Sequence, residues 1–198
     1  KIRVADYGVP PVDVPVREEA RRPLRAGFVG TCSDYKGVEV LAEAAVKAVE
    51  SGADVEVSIY GSLEWFPELG ERLVALAEGC PALKLPGPFE PDQQGEIYRQ
   101  MDVLVVPSLW WENSPLTIHE AWQFGVPVVV SDRGGMAELA SRGGAIVFPP
   151  GDVLALAEIL QKLSSTPKAV EDLRNTISPV RDIGEDVALL EEIYQTLA

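Results

Sequence analysis

The sequence predicts a doubly wound α/β fold, a mainly parallel six-stranded sheet with helices on both faces, and three observations carry that expectation. From Ala26 onward, short apolar runs alternate with amphipathic segments, the rhythm of strand and helix units in a parallel sheet. The runs are nearly unbroken Val, Ile and Leu, which suits strands covered on both sides. A chain of 198 residues with 46% hydrophobic content can also bury about 70% of its unfolded surface around one core.

Residues 1–25 carry GVPPVDVPV and then REEARRPLR, the composition of an interdomain linker or tail, and little core is expected from them. The start at Lys1 rather than a methionine suggests a piece of something longer. A Rossmann-like domain is expected over 26–178 and a terminal segment over 179–198. The first strand is AGFVG (26–30), followed by the polar loop TCSDYKG and a helix from Val38 to about Ser51 with Val38, Leu41, Ala45 and Val49 on one face. DVEVSIYG (54–61) and a helix near 67–79 form the second unit. A third strand, ALKL (82–85), runs into the turn-rich PGPFEPDQQ and a short helix around 95–101.

The fourth strand, DVLVV (102–106), feeds PSLWWENSPLTIHEAWQFG and then the strand PVVVS (127–131). A helix opened by RGGMAEL, the strand AIVF (145–148) and the helix of GDVLALAEILQKL complete the sheet. Asp152 is the expected N-cap of that helix, and Val153, Leu156, Leu160 and Leu163 its buried stripe. Two helices finish the chain, near 167–176 and 184–197, the second with Val187, Leu190, Tyr194 and Leu197 in register. No internal repeat appears. In such sheets ligands bind beyond the carboxyl ends of the strands, where strand order reverses, so the loops after strands one, three and four are the places to search.

A formal charge of −14 repels nucleic acid and anionic lipid, which argues against a nucleic-acid binder. An anionic small ligand must then find donors and cations gathered locally. The two cysteines, Cys32 and Cys80, lack metal-ligand or CxxC spacing and read as free thiols of a reducing compartment. With no apolar run of about 20 residues and no signal-peptide profile, a cytoplasmic location is expected.

Ser114 and Pro115 read as N-cap and first-turn residues of a helix ending at Gly125, so that Glu112 stands on the preceding loop and Glu120 inside the helix. The free amides at that helix start, together with its dipole, suit an anion. Gly30 to Gly37 is a second donor-rich turn where Lys36 could face a phosphate; the competing reading, favoured for an isolated loop but less so at the end of the first strand, is that the glycines merely turn the chain and Lys36 is a solvated surface residue. Glu112 and Glu120 could be solvated surface acids. However, Glu120 is flanked by Ile118, Ala121 and Trp122, and a carboxylate there needs donors such as sugar or ribose hydroxyls. A paired-carboxylate glycosidase, with acids about 5–9.5 Å apart, is the competing enzymatic reading, but nothing else suggests a sugar-chain cleft. Trp110 and Trp111 are expected in core or lid packing rather than on a sugar ring. His119 points about 100° away from Glu120 around the helix and is read as structural or exposed.

The segment Gly30 to Gly151 resembles the C-terminal, nucleotide-sugar-binding domain of retaining glycosyltransferases of family four, which have the two-domain GT-B fold. Glu112 and Glu120 meet the family's E-x7-E motif within PS...ENSPLTI.EA..FGVPVV, and ISPVRDIGEDVALLEEIY is similar to its terminal segment, whose helix crosses toward the partner domain. The resemblance implies transfer of a sugar, of the hexosyl type, from a nucleoside diphosphate sugar to an acceptor, with anomeric configuration kept, no metal and no further cofactor. It implies that Glu120 accepts from the ribose, that Glu112 faces the donor sugar, and that Asn113, Ser114, Pro115 and Leu116 hold the diphosphate and sugar through backbone groups. Lys36 would neutralise the leaving diphosphate, Gly30 and Thr31 would line the first loop, and the stretch Pro86 to Phe89 would border the base. Thr31 stands where many relatives carry arginine, with Arg133 a candidate to compensate. The acceptor domain would precede residue 1 and would alone meet any membrane-associated acceptor, so the domain by itself is expected to bind donor without turnover. A non-catalytic nucleotide-sugar-binding module and, more remotely, a sugar-nucleotide epimerase are the alternatives.

Overall fold

The computed structural model describes residues 7–12 and 22–197, so most of the expected linker, and the side chain of Leu197, lie outside the described residues. Among these, six parallel strands form one sheet: β1 Leu24–Val29, β2 Val55–Tyr60, β3 Leu83–Gly87, β4 Val103–Val106, β5 Val128–Ser131 and β6 Ala145–Phe148. Their order is β3-β2-β1-β4-β5-β6. The helices are α1 Val38–Glu50, α2 Pro67–Gly79, α3 Gln94–Gln100, α4 Leu116–Gln123, α5 Gly134–Ala140, α6 Val153–Ser165, α7 Pro167–Arg174 and α8 Ile183–Leu197. Order reverses between β1 and β4, whose following loops therefore part to opposite faces and leave a crevice above the sheet.

Alternation along the strands builds two cores. Ala26, Phe28, Val57, Ile59, Val103, Val105 and Val129 join Leu41 of α1, Leu73 of α2, Leu160 of α6 and Val170 of α7 on one face. Val29, Leu104, Val106, Val128 and Val130 join Tyr98 of α3, Ile118 of α4 and Met136 of α5 on the other. That second face is covered less completely over β2, where Glu56, Ser58 and Tyr60 are half-buried. Asp152 caps α6 by accepting from the Ala155 amide at 2.9 Å, and Leu156, Leu160 and Leu163 are buried beneath it.

Two expectations need correction. The N-terminal tail does add core: Val9 is buried and pairs with Asp182, and β1 begins at the buried Leu24, two residues before the expected start. Pro86 and Gly87 continue β3 rather than opening a loop, because Gly87 still pairs with Tyr60 and its carbonyl accepts from Gly61. On α8, where Val187, Leu190 and Tyr194 are in register as expected, all three are exposed. Both thiols are buried, and desolvation pushes Cys32 up to about 11, leaving it a poor nucleophile.

One buried carboxylate ties β1 to β4 at the amino ends of these strands, away from the crevice. Asp102, 2% exposed in its side chain, accepts from the Arg25 amide at 2.9 Å and from the Arg25 guanidinium at 3.0 and 2.8 Å. These bonds raise the Arg25 pKa, and the Asp102 amide donates back to the Arg25 carbonyl. Asp102→Asn keeps the shape but loses the charge and one acceptor facing that fork. Urea unfolding is expected to show a loss of about 1.5–3 kcal/mol; an unchanged midpoint would mean that the pair is energetically idle.

Candidate functional site

The loops after β1 and β4 meet in direct contact at the crevice. Gly37 closes the first loop with φ +67, and a Cβ built on it would lie 2.0 Å from the Pro107 carbonyl, so only glycine allows both the turn and the approach. The Tyr35 carbonyl accepts from the amides of Leu109 and Trp110 at 2.8 and 3.2 Å, binding one loop to the other through the backbone. Ser108, wholly buried, adds its hydroxyl at 3.2 Å from that same carbonyl and 3.1 Å from Glu112 Oε1.

Onto this frame the chain places its central ion pair. Lys36 Nζ donates to Glu112 Oε1 at 2.6 Å, with the side chains 31% and 16% exposed. Ser108 and Lys36 converge on one oxygen, and Oε2 of Glu112 has no partner among the described residues. The Glu112 carbonyl accepts from the Gly135 amide at 2.8 Å, and a Cβ on Gly135 would fall 1.4 Å from the Asn113 carbonyl, so the loop lies directly against the start of α5. Arg133 donates to the Leu109 carbonyl and covers the Trp111 ring at 5.4 Å.

Glu120 sits one helical turn further on, half-buried on α4. Its Oε2 accepts from the Tyr98 hydroxyl at 2.9 Å, and among the described residues Oε1 has no partner. Burial, with the Glu120 charge second, drives the Tyr98 phenol well above its ordinary range, so it remains a donor. The amides of Leu116 and Thr117 at the start of α4 have no acceptor among the described residues, as a helix N-terminus leaves them. Phe89 lies edge-on to Tyr60 at 6.3 Å, and the two border a cavity of 270 Å³ with Pro86, Pro88 and Ile97.

The residues proposed from sequence are thus brought to one end of the sheet, with differences in detail. Ser114 is not the N-cap: α4 starts at Leu116, Pro115 is extended (φ −59, ψ 118), and the Ser114 hydroxyl lies 2.8 Å from His119 Nε2. That contact competes with capping. His119 is 3% exposed and set edge-on to Trp122, which selects the structural reading over the exposed one. Trp110 and Trp111 are 61% and 68% exposed, not core, because their loop stands above the strand ends. Thr31 and Asn113 are exposed, Gly30 is half-buried, and Arg133, on the loop after β5, is engaged by Leu109 and Trp111 of the loop after β4. Ser108, Tyr98 and Gly135 were missed. Ser108, four residues before Glu112, carried a faint local signal; Tyr98 carried none, being 22 residues from its partner.

Comparison with known proteins agrees with this architecture. Residues 23–166 match the family described as Glycosyl transferases group 1. The amylovoran biosynthesis glycosyltransferase AmsK of Erwinia amylovora is 32% identical over 177 residues, covering 83% of this chain and 42% of that protein. Anabaena HepE, solved in complex with UDP, superposes with a TM-score of 0.69 at 21% identity over 88% of this chain and 48% of its own. Sucrose-phosphate synthase of Thermosynechococcus elongatus gives 0.73 at 22% identity over 88% and 45%. The chain therefore spans less than half the length of each of these relatives.

The contact at Gly37 is the joint on which the crevice depends. Gly37→Ala forces a left-handed φ on alanine and a clash with the Pro107 carbonyl, and is expected to cost about 1–3 kcal/mol. Chemical denaturation measures it; a variant as stable as the parent would show that the loops part without penalty.

Proposed function

The chain belongs to the glycosyl transferases group 1 family, and from that premise we propose that it is the nucleotide-sugar donor half of a retaining GT-B glycosyltransferase. The observation that carries the reading is the pairing of Lys36 with Glu112 at 2.6 Å across the reversal of strand order, beside the unpartnered amides of Leu116 and Thr117 and one turn from Glu120. A cation, free amides and a helix dipole are what a diphosphate requires in a protein of net charge −14.

In this assignment the diphosphate lies over Asn113 to Leu116 and takes Lys36 as its counter-ion, with Gly30 and Thr31 lining the opposite wall. Glu120 accepts from the ribose through its open Oε1. Glu112 faces the donor sugar and offers its open Oε2 to a sugar hydroxyl, while withdrawal of Lys36 toward the phosphates leaves Oε1 held by Ser108. Phe89, at the rim of the 270 Å³ cavity, borders the base. Departure of the diphosphate leaves an oxocarbenium-like sugar, and the preorganised donors stabilise the charge developing on the leaving group. The acceptor is held by a second domain, preceding this one and reached by α8, as the exposed Val187, Leu190 and Tyr194 favour. The proposed location is cytoplasmic, the supply compartment of nucleoside diphosphate sugars.

A second reading, a module that binds nucleotide sugars without transferring them, is favoured by one observation. Thr31 is exposed and uncharged, and Arg133 is turned to Leu109 and Trp111, so neither adds an evident second cation to Lys36.

Calorimetric titration with UDP, ADP, GDP and their sugar conjugates tests the assignment. Saturable micromolar to millimolar binding is expected for at least one. Glu120→Ala is expected to weaken it at least about tenfold, or 1.4 kcal/mol, while Lys36→Met weakens the diphosphate but not the free nucleoside. No saturable binding to folded protein would overturn the donor reading. Transfer by the chain joined to its acceptor domain separates enzyme from module.

A further inference from the structure

We propose that Tyr98 is a positioning residue of the nucleoside site: its hydroxyl holds one oxygen of the Glu120 carboxylate so that the other is presented to the ribose diol. This rests on the assignment of Glu120 to the ribose and adds the group that makes that assignment work.

The geometry is specific. Tyr98 is fully buried on α3, the helix of the crossover from β3 to β4, whereas Glu120 projects from the middle of α4. The phenol reaches Glu120 Oε2 at 2.9 Å and the Thr117 carbonyl at 3.4 Å, both on α4. Its ring is stacked on Phe124 at 5.5 Å and 15°, and Phe124 ends that same helix, so the ring cannot swing away without unpacking the α3–α4 contact. A glutamate free to rotate would lose side-chain freedom on gripping a ligand. Here much of that loss is taken at folding, and the oxygen left open is the one without a partner among the described residues.

The bond is also of the strong class, because a neutral, buried O–H meets an anionic acceptor. With the phenol's pKa raised, it neither repels the carboxylate nor stops donating as pH rises through the neutral range. The neighbouring residue on α3, Ile97, lines the cavity that Phe89 and Tyr60 border. One short helix therefore supports the base side and the ribose side of the nucleoside together, and a shift of α3 is felt by both.

Tyr98→Phe deletes the hydroxyl and keeps the ring against Phe124. Affinities of UDP, ADP and GDP, each paired with its 2′,3′-dideoxy counterpart, are measured for the parent and the variant, with urea unfolding to confirm that the variant is folded. The expected result is a loss of about five- to tenfold for the ribonucleotide that binds and no change for its dideoxy partner, so that discrimination between them collapses. Once Glu120→Ala is present, adding Tyr98→Phe is expected to cause no further loss, which closes the cycle. Equal weakening of both members of a pair, or undiminished discrimination in Tyr98→Phe, would overturn the positioning role while leaving Glu120 on the ribose. A parent protein that binds both members equally would overturn the ribose assignment itself and this role with it.

Discussion

The reversal of strand order between β1 and β4 is the constraint on which the rest of this molecule depends. Adjacent parallel strands whose connections leave for opposite faces cannot fill the space between their loops with a helix, so a crevice remains at their carboxyl ends. This protein closes the floor of that crevice with backbone contacts, Gly37 against the Pro107 carbonyl and the Tyr35 carbonyl on the Leu109 amide. It then bridges the opening with the Lys36–Glu112 pair. The amino ends of the same strands are held by Arg25 and Asp102, so β1 and β4 are pinned at both ends by opposite charges.

The two pairs serve different ends. Asp102 is saturated by three donors from one residue and has little left to offer, which suits a structural tie. Glu112 and Glu120 are each held through one oxygen only and keep the other without a partner among the described residues. Half-satisfied carboxylates are costly in a core and tolerable at a crevice, where water or a ligand completes them. The same logic explains how an acidic protein can attract an anion: donors from Lys36 and the start of α4 are concentrated locally, against a field that is negative overall.

Much of the fold was legible from pattern. Strand and helix bounds lie within a few residues of expectation because hydrophobic period and turn residues are local signals, and Asp152 caps α6 as its sequence context implies. Local rules failed where a tertiary partner outbid them. Ser114 gives up the cap for His119, and Trp110 and Trp111 stand exposed although their composition favours packing. Glu120 correctly signalled a need for donors, yet one of them proved to be Tyr98, from another helix.

By itself the sequence determined the alternation of strands and helices, the resemblance carried by the ENSPLTIHEA context, and the choice of Glu112, Glu120 and Lys36 as candidate site residues. The alternation follows from short-range periodicity, whereas the candidate site residues follow from the resemblance that their motif carries. Only the tertiary structure decided which oxygen of each carboxylate is held and which is open, that Ser108 and Tyr98 do the holding, and that Arg133 is engaged by the loop after β4. The physical reason is distance along the chain: Lys36 and Glu112 are 76 residues apart and Tyr98 and Glu120 22 apart, and the closed sheet alone brings such groups within hydrogen-bonding reach.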